Sequence, residues 1–306
     1  MATEAFSPEF RSIVPEQATF ERAASGFIFI EGPVWNYREG YLIWVDIIGD
    51  TIWKWVPGRG KSIVMRPSGH ANGTTFDHQG RLVLAGWSNR AVWRLEADGA
   101  VTTLASHYQG TRLNTPNDIV VKSDGAIYFT DPSNGMHLVG HQGEDLQKYL
   151  EFEGVYRLEP DTHKLTLLCD DMTFPNGLCF SPDESLLYVN DTTEHYVRVF
   201  DVGPDGTLSN GRPFTELHGV APGHPDGMKV DIEGNVYCTG PGGVWVMDPK
   251  GKHLGLMKTP EQCHNFTFGG EDLRTIFFAC RTTVYRMKVN IPGIPAGTGA
   301  AHWEKA

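Results

Sequence analysis

The chain has 306 residues, of which 40% are hydrophobic and 21% charged, and a formal net charge of −11. That balance suits a globular protein with a sizeable core. With no run of Lys or Arg, it argues against nucleic acid or an anionic membrane as partner.

The opening stretch, residues 1–17, has no basic segment followed by an apolar one, so no signal peptide is expected. No apolar run nears the ~20 residues of a membrane helix, and a soluble cytoplasmic protein follows. Five cysteines (Cys169, Cys179, Cys238, Cys263, Cys280) show no CxxC spacing and mostly fall in or beside apolar runs. They are expected to be reduced core thiols. Helix signals are sparse. The 35 Gly and 19 Pro stand mostly between short β-branched and aromatic runs, the pattern of many strands with tight turns.

Taken in order, residues 1–17 are expected to form a surface arm and 18–25 a strand. A three-strand unit then recurs. A short polar or acidic residue precedes a first strand, a turn follows, and two further apolar strands come next. The copies begin at Glu31, Asn72, Asn117, Asn176, Asp226 and Asn265, spaced by 41, 45, 59, 50 and 39 residues. The widest spacing holds an insertion at residues 133–153, expected to be a lid over the site. Weaker fourth strands are expected at 62–65, 101–104, 165–168 and 211–214. The sixth copy lacks one, and 18–25 is placed there to close the ring. A period of about 40–50 with three or four strands per unit marks a propeller blade. The expected fold is all-β, a six-bladed β-propeller forming one domain over residues 1–306, with a loose tail at 292–306.

In a propeller the residues before each first strand ring one mouth of the central channel. Asn and Asp favour turns in any case, but six oxygen-bearing residues at one phase go beyond turn chemistry, and Glu31 has no turn preference. Two carboxylates, Glu31 and Asp226, with several amide oxygens suit a hard divalent cation. His70 and Asn72 lie in the second of these loops, where substrate contact and turn structure are equally good explanations. Asp131 is placed either behind the site or as a cap on the turn into Pro132. His264 could act as an acid or base at the rim, but a plain loop histidine is the better reading, and His224 is similar. GxSxG, HExxH and GxGxxG are all absent, which removes support for a serine elbow, a zinc protease helix and a dinucleotide site.

The motifs EGPVW (31–35), SGHANG (68–73), RLNTPNDIVVKSDGAIYFTDP (112–132), FPNGLCFSPDESLLYV (174–189), HPDGMKVDIEGNVY (224–237) and FGGEDLRTIF (268–277) occur in this order. Over roughly residues 25–290 the chain resembles the gluconolactonase, regucalcin and senescence-marker-protein family of six-bladed propellers. The resemblance implies a single divalent metal at the channel mouth, most often Ca²⁺, with Mg²⁺, Mn²⁺, Zn²⁺ or Fe²⁺ as other occupants. It implies Glu31, Asn176 and Asp226 as ligands, Asn117 as a contact to metal or substrate, and Arg112 as a contact to substrate oxygens.

The implied activity is metal-dependent hydrolysis of a small lactone, most simply a sugar lactone. Asp226 is the expected general base; alternatively it orients a hydroxide formed on the metal. A phosphotriester or fluorophosphate hydrolase on the same site, and a calcium-binding propeller without turnover, are the alternatives. The expected partner is a small-molecule lactone, and the chain itself is expected to be a monomer or a homodimer.

Overall fold

The computed structural model describes residues 2–133, 136 and 145–298. Among the described residues, six antiparallel sheets of four or five strands follow one another along the chain, with a two-stranded ribbon of His107–Tyr108 and Thr111–Arg112 between the second and third. The first blade is Ile30–Asn36, Tyr41–Asp46, Thr51–Val56 and Gly60–Met65. The second is Ala71–Phe76, Leu82–Gly86, Ala91–Leu95 and Val101–Ala105. The third is Ile119–Val121, Ile127–Asp131, Gly154–Glu159 and Lys164–Cys169. The fourth is Pro175–Phe180, Leu186–Asp191, Tyr196–Val202 and Leu208–Glu216. The fifth is Met228–Val230, Val236–Gly240, Gly243–Met247 and His253–Met257. The sixth is Cys263–Gly269, Thr275–Cys280 and Thr283–Lys288, with Glu21–Ser25 as its outer strand.

Each first strand touches the first strand of the next blade, and the sixth touches the first, so the ring is closed. Bulky apolar residues of neighbouring blades meet between them. Trp35 of the first blade stacks on Phe277 of the sixth at 5.3 Å between ring centroids. Tyr128, Phe129, Tyr156, Tyr237 and Phe278 are all fully buried. All five cysteines are buried and unpaired. No helix of the described residues is long and apolar enough to cross a membrane.

The N-terminal residues are more than a surface arm. Thr3–Ala5 adds a fifth strand to the fifth blade, with Thr3 opposite Met257. The one-turn helix Phe10–Ile13 then sends Phe10, Ile13 and Val14 into the core between the fifth and sixth blades. Their i, i+3, i+4 spacing is the apolar stripe of a helix turn.

The tail also departs from expectation. Over 292–298 it is seated rather than loose. Ile232 N donates to Pro292 O at 3.1 Å and Gly293 N to Leu273 O at 3.0 Å. Ile294, Pro295, Ala296 and Gly297 line a cavity of about 100 Å³ together with first-strand residues of all six blades. The tail thus closes the mouth at the far ends of the first strands. Apolar side chains that would face water at an open mouth are covered instead. Residues 299–306 lie outside the described residues, as do 134, 135 and 137–144 of the expected lid.

Candidate active site

The other mouth carries the polar residues. Glu31, Asn72 and Asn176 are each the second residue of a first strand, Asn117 and Asp226 lie two residues before one, and all five are buried. Bulges re-aim these starts. The ladder shifts between Glu31 and Val34, between Ala71 and Thr74, and between Pro175 and Leu178. A bulge frees its residue from the regular in-and-out alternation. Glycine follows several of these residues because the next blade's backbone comes close: a Cβ on Gly177 would collide with the Asp226 carbonyl.

Aspartates at the ends of second strands hold the loops that enter the mouth. Asp46 accepts from the Ile28 and Phe29 amides at 3.0 Å each. Asp131 Oδ2 accepts from Asn114 N at 2.8 Å, and Asp191 Oδ2 from Thr173 N at 2.8 Å. These loops deliver Glu31, Asn117 and Asn176. Asp131 therefore clamps a loop behind the site. Burial pushes its carboxyl up to about 8.

Hydrogen bonds around the mouth define the ring. Gly73 N donates to Asn117 O at 2.7 Å, and Gly227 N donates to His264 O at 2.8 Å. By that register the sixth member is His264, one residue before the expected Asn265. The cause is a shift in the sixth blade's ladder between Cys263 and Asn265. The legible signal was the offset itself: Asn265 follows His264 as Asp118 follows Asn117, and both stand where most other blades have glycine.

Glu31 is buried with Oε2 accepting from Gly32 N at 2.7 Å. Burial, then the charge of Asp226, push its carboxyl well above the usual range. Burial pushes Asp226 up as well, but two imidazoles outweigh it and hold this carboxyl below the usual range. His264 Nδ1 lies 3.5 Å and His224 Nε2 3.7 Å from Asp226 Oδ2. At those lengths they are long polar contacts rather than short hydrogen bonds. Phe29 packs on the His264 ring at 4.4 Å. Sequence reasoning had left both histidines as loop residues.

Asn176 gives its Nδ2 hydrogen to Thr192 Oγ1 at 2.9 Å, and its buried Oδ1 has no partner among the described residues. Asn72 Nδ2 donates to Asn117 Oδ1 at 2.9 Å, and Asn72 Oδ1 is likewise buried and unpartnered. Uncompensated buried carbonyl oxygens are costly. Beside two carboxylates that repel each other, they are what a hard cation would satisfy. Glu31, Asn176 and Asp226 therefore fit a divalent ion. His224, Asp226 and His264 also bring one donor atom each within 4.8 Å of one another.

The expected substrate contacts fare unevenly. Asn72 belongs to the ring. His70 Nδ1 is engaged with Ile47 O at 2.7 Å. Arg112 is turned to Asp145, with Nη1 to Oδ2 at 2.7 Å. The arginine that organises this wall is Arg90, which the sequence did not single out. It is 1% exposed. Its Nε donates to Leu113 O and Asn114 O, each at 2.8 Å. Its Nη1 donates to Gln147 O at 2.7 Å. It ties the loop before Asn117 to the start of the third blade's returning segment.

Comparison with known proteins agrees with this architecture. Residues 29–282 match the model of the SMP-30/gluconolactonase/LRE-like region. A gluconolactonase of Zymomonas mobilis is 32% identical over 94% of this chain and 86% of its own. Regucalcin of Xenopus laevis is 29% identical over 81% of each. The solved structure of a Xanthomonas campestris gluconolactonase superposes with a TM-score of 0.87 at 31% identity, covering 94% of this chain and 95% of its own.

Proposed function

The chain belongs to the SMP-30/gluconolactonase/LRE-like family, and on that premise we propose that it hydrolyses a small sugar lactone with a divalent cation held by Glu31, Asn176 and Asp226. The observation that carries the reading is the convergence of two buried, mutually repelling carboxylates with the unpartnered Asn176 Oδ1. The gluconolactonase relatives supply the substrate class.

A cation held there would polarise the lactone carbonyl and stabilise the charge that develops on its oxygen. The chain's own residues do the rest. Asp226 takes the proton of the attacking water as the water oxygen bonds to the carbonyl carbon. His224 and His264 favour its charged form, so the carboxylate is ready to accept that proton near neutral pH. When the ring C–O bond breaks, the departing alkoxide takes the proton back from Asp226, and the product is the open hydroxy acid. Asn72 and Asn117 support each other and offer polar contacts to the substrate's hydroxyls.

The imidazoles beside Asp226 also suit ions that accept nitrogen, so Zn²⁺, Mn²⁺ and Fe²⁺ stand with Ca²⁺ and Mg²⁺ as occupants to test. The decisive experiment is a lactone panel run on chelated protein and after return of each ion. Ring opening that is lost on chelation and restored by one or more ions is the expected result. Full activity in the chelated protein would remove the cation from the reading. No turnover of any lactone with any ion would remove the lactonase.

A further inference from the structure

The cation site does not account for all the charge at the head of the channel. Asp118 is a third carboxylate there, 4% exposed, with Oδ2 unpartnered among the described residues. It acts on Glu31, and Asp226 acts on it. It occupies the position that is glycine in four blades: Gly32, Gly73, Gly177 and Gly227. Three carboxylates exceed the charge of a divalent ion by one.

The sixth blade and the fifth supply the balance. Asn265 also replaces a glycine of this ring and lies close enough to Glu31 and Asp118 to favour the charged form of both. Room for it exists because Gly227 has no side chain, and a Cβ there would collide with the Asn265 amide. On its other side Asn265 Oδ1 accepts from Lys229 Nζ at 3.4 Å. Lys229 is partly buried and also donates to Met228 O at 2.8 Å. Its ammonium stands 5.8 Å from the Phe266 ring centre. It is the cationic side chain among the residues lining the closed cavity below the site. The Glu184 carboxylate on that lining is engaged elsewhere, with Ser123 and Lys122.

We propose that Lys229 is the fixed counter-charge of the site, offsetting Asp118 so that the cradle of Glu31, Asn176 and Asp226 favours a divalent over a trivalent cation. The inference rests on the cation reading above. Lys229 is a positioning residue here, since it acts through Asn265 and the field rather than by touching substrate. A fixed positive charge repels an ion in proportion to the ion's own charge. Removing it therefore favours a trivalent ion more than a divalent one of similar size.

The test measures Ca²⁺ binding by calorimetry and Tb³⁺ binding by luminescence on the full chain. Lys229→Met is expected to raise the preference for Tb³⁺ over Ca²⁺ by about tenfold. Asp118→Asn is expected to lower it by a similar factor, and the double variant to return toward the parent. Asp118→Asn carries the test by itself if Lys229→Met does not fold. Preferences that stay within about twofold of the parent in the single variants overturn the proposal. A parent chain that binds neither ion overturns both this inference and the cation reading. Ion binding with no lactone turnover removes only the lactonase, and the Tb³⁺/Ca²⁺ preference then still decides the role of Lys229.

Discussion

Asn176 and Thr192 form a relay at the channel mouth: the amide donates to the hydroxyl at 2.9 Å, and the hydroxyl donates onward to Pro225 O at 2.7 Å. One threonine thereby orients a candidate ligand of the fourth blade against the backbone that delivers Asp226 from the fifth. Such outer contacts commonly contribute 10–100-fold to metal affinity. Thr192→Val keeps the shape and removes both hydrogen bonds. Calorimetry should show ion affinity lower by about tenfold, with Thr192→Ser restoring most of it. Equal affinity in parent and valine variant would mean that Asn176 is not a ligand.

Glu31→Gln should uncouple stability from the ion. In the parent, chelation should lower the melting temperature and excess ion raise it, with a gain in stability of about 2.7 kcal/mol at a hundred times Kd. The variant removes a buried carboxylate whose charge is unfavourable without a cation. The chelated variant should therefore melt above the chelated parent, and added ion should leave it unmoved. A variant that still responds to ion like the parent would exclude Glu31 from the cradle.

Asp226→Asn should reduce lactone hydrolysis by about 10³-fold, within the range usual for loss of a general base. Saturating ion should not restore the rate. Retention of the full rate would transfer proton abstraction to another group.

Asp131 gives a pH signature away from the mouth. Burial raises its carboxyl to about 8, against about 3.9 in the unfolded chain. The folded state thus binds this proton more tightly than the unfolded one. Its contribution to stability is fully present below about pH 4 and is lost as pH rises through 8. Urea unfolding of the parent between pH 5 and 9 should show stability falling along that course. Asp131→Asn should flatten the dependence. An unchanged slope would assign the effect to another group.

Phe10→Ala should cost about 3–5 kcal/mol in urea unfolding, the usual price of emptying a buried aromatic site. Phe10 is fully buried within the cluster of the fifth and sixth blades. A loss below about 1 kcal/mol would make the N-terminal segment the surface arm that the sequence suggested.

The architecture was legible because every blade repeats the same alternation of turn and strand, and Glu31, Asn117, Asn176 and Asp226 sit at one phase of it. What escaped depended on three-dimensional proximity without a local pattern. His224 reads as an ordinary loop residue until the fifth and sixth blades are placed side by side. Arg90 ends an unremarkable turn, and only the closed ring lays it under the loop at Leu113 and Asn114. Asn265 was misphased by one because the sixth blade, like the third, lacks the glycine that marks the register in the other four, and Asn265 itself is the residue type that leads three of the blades. The tail at 292–298 has no strand pattern, since what holds it is a few isolated backbone hydrogen bonds and the opening it covers.

The pairing of Glu21–Ser25 with Thr283–Lys288 has a consequence for synthesis. The first of these segments leaves the ribosome well before its partner does. Arg286 and Glu21, which join across this seam, are 265 residues apart. Inner blades can assemble from near neighbours while the chain is still growing, but the last seam is a contact of very long range and a slow one. The same event brings Glu31 of the first blade to Asp226 and Asn265 of the fifth and sixth. A nascent chain therefore lacks the meeting of Glu31 with Asp226 until its sixth blade is made, and ion binding at the proposed cradle would report completion of the ring.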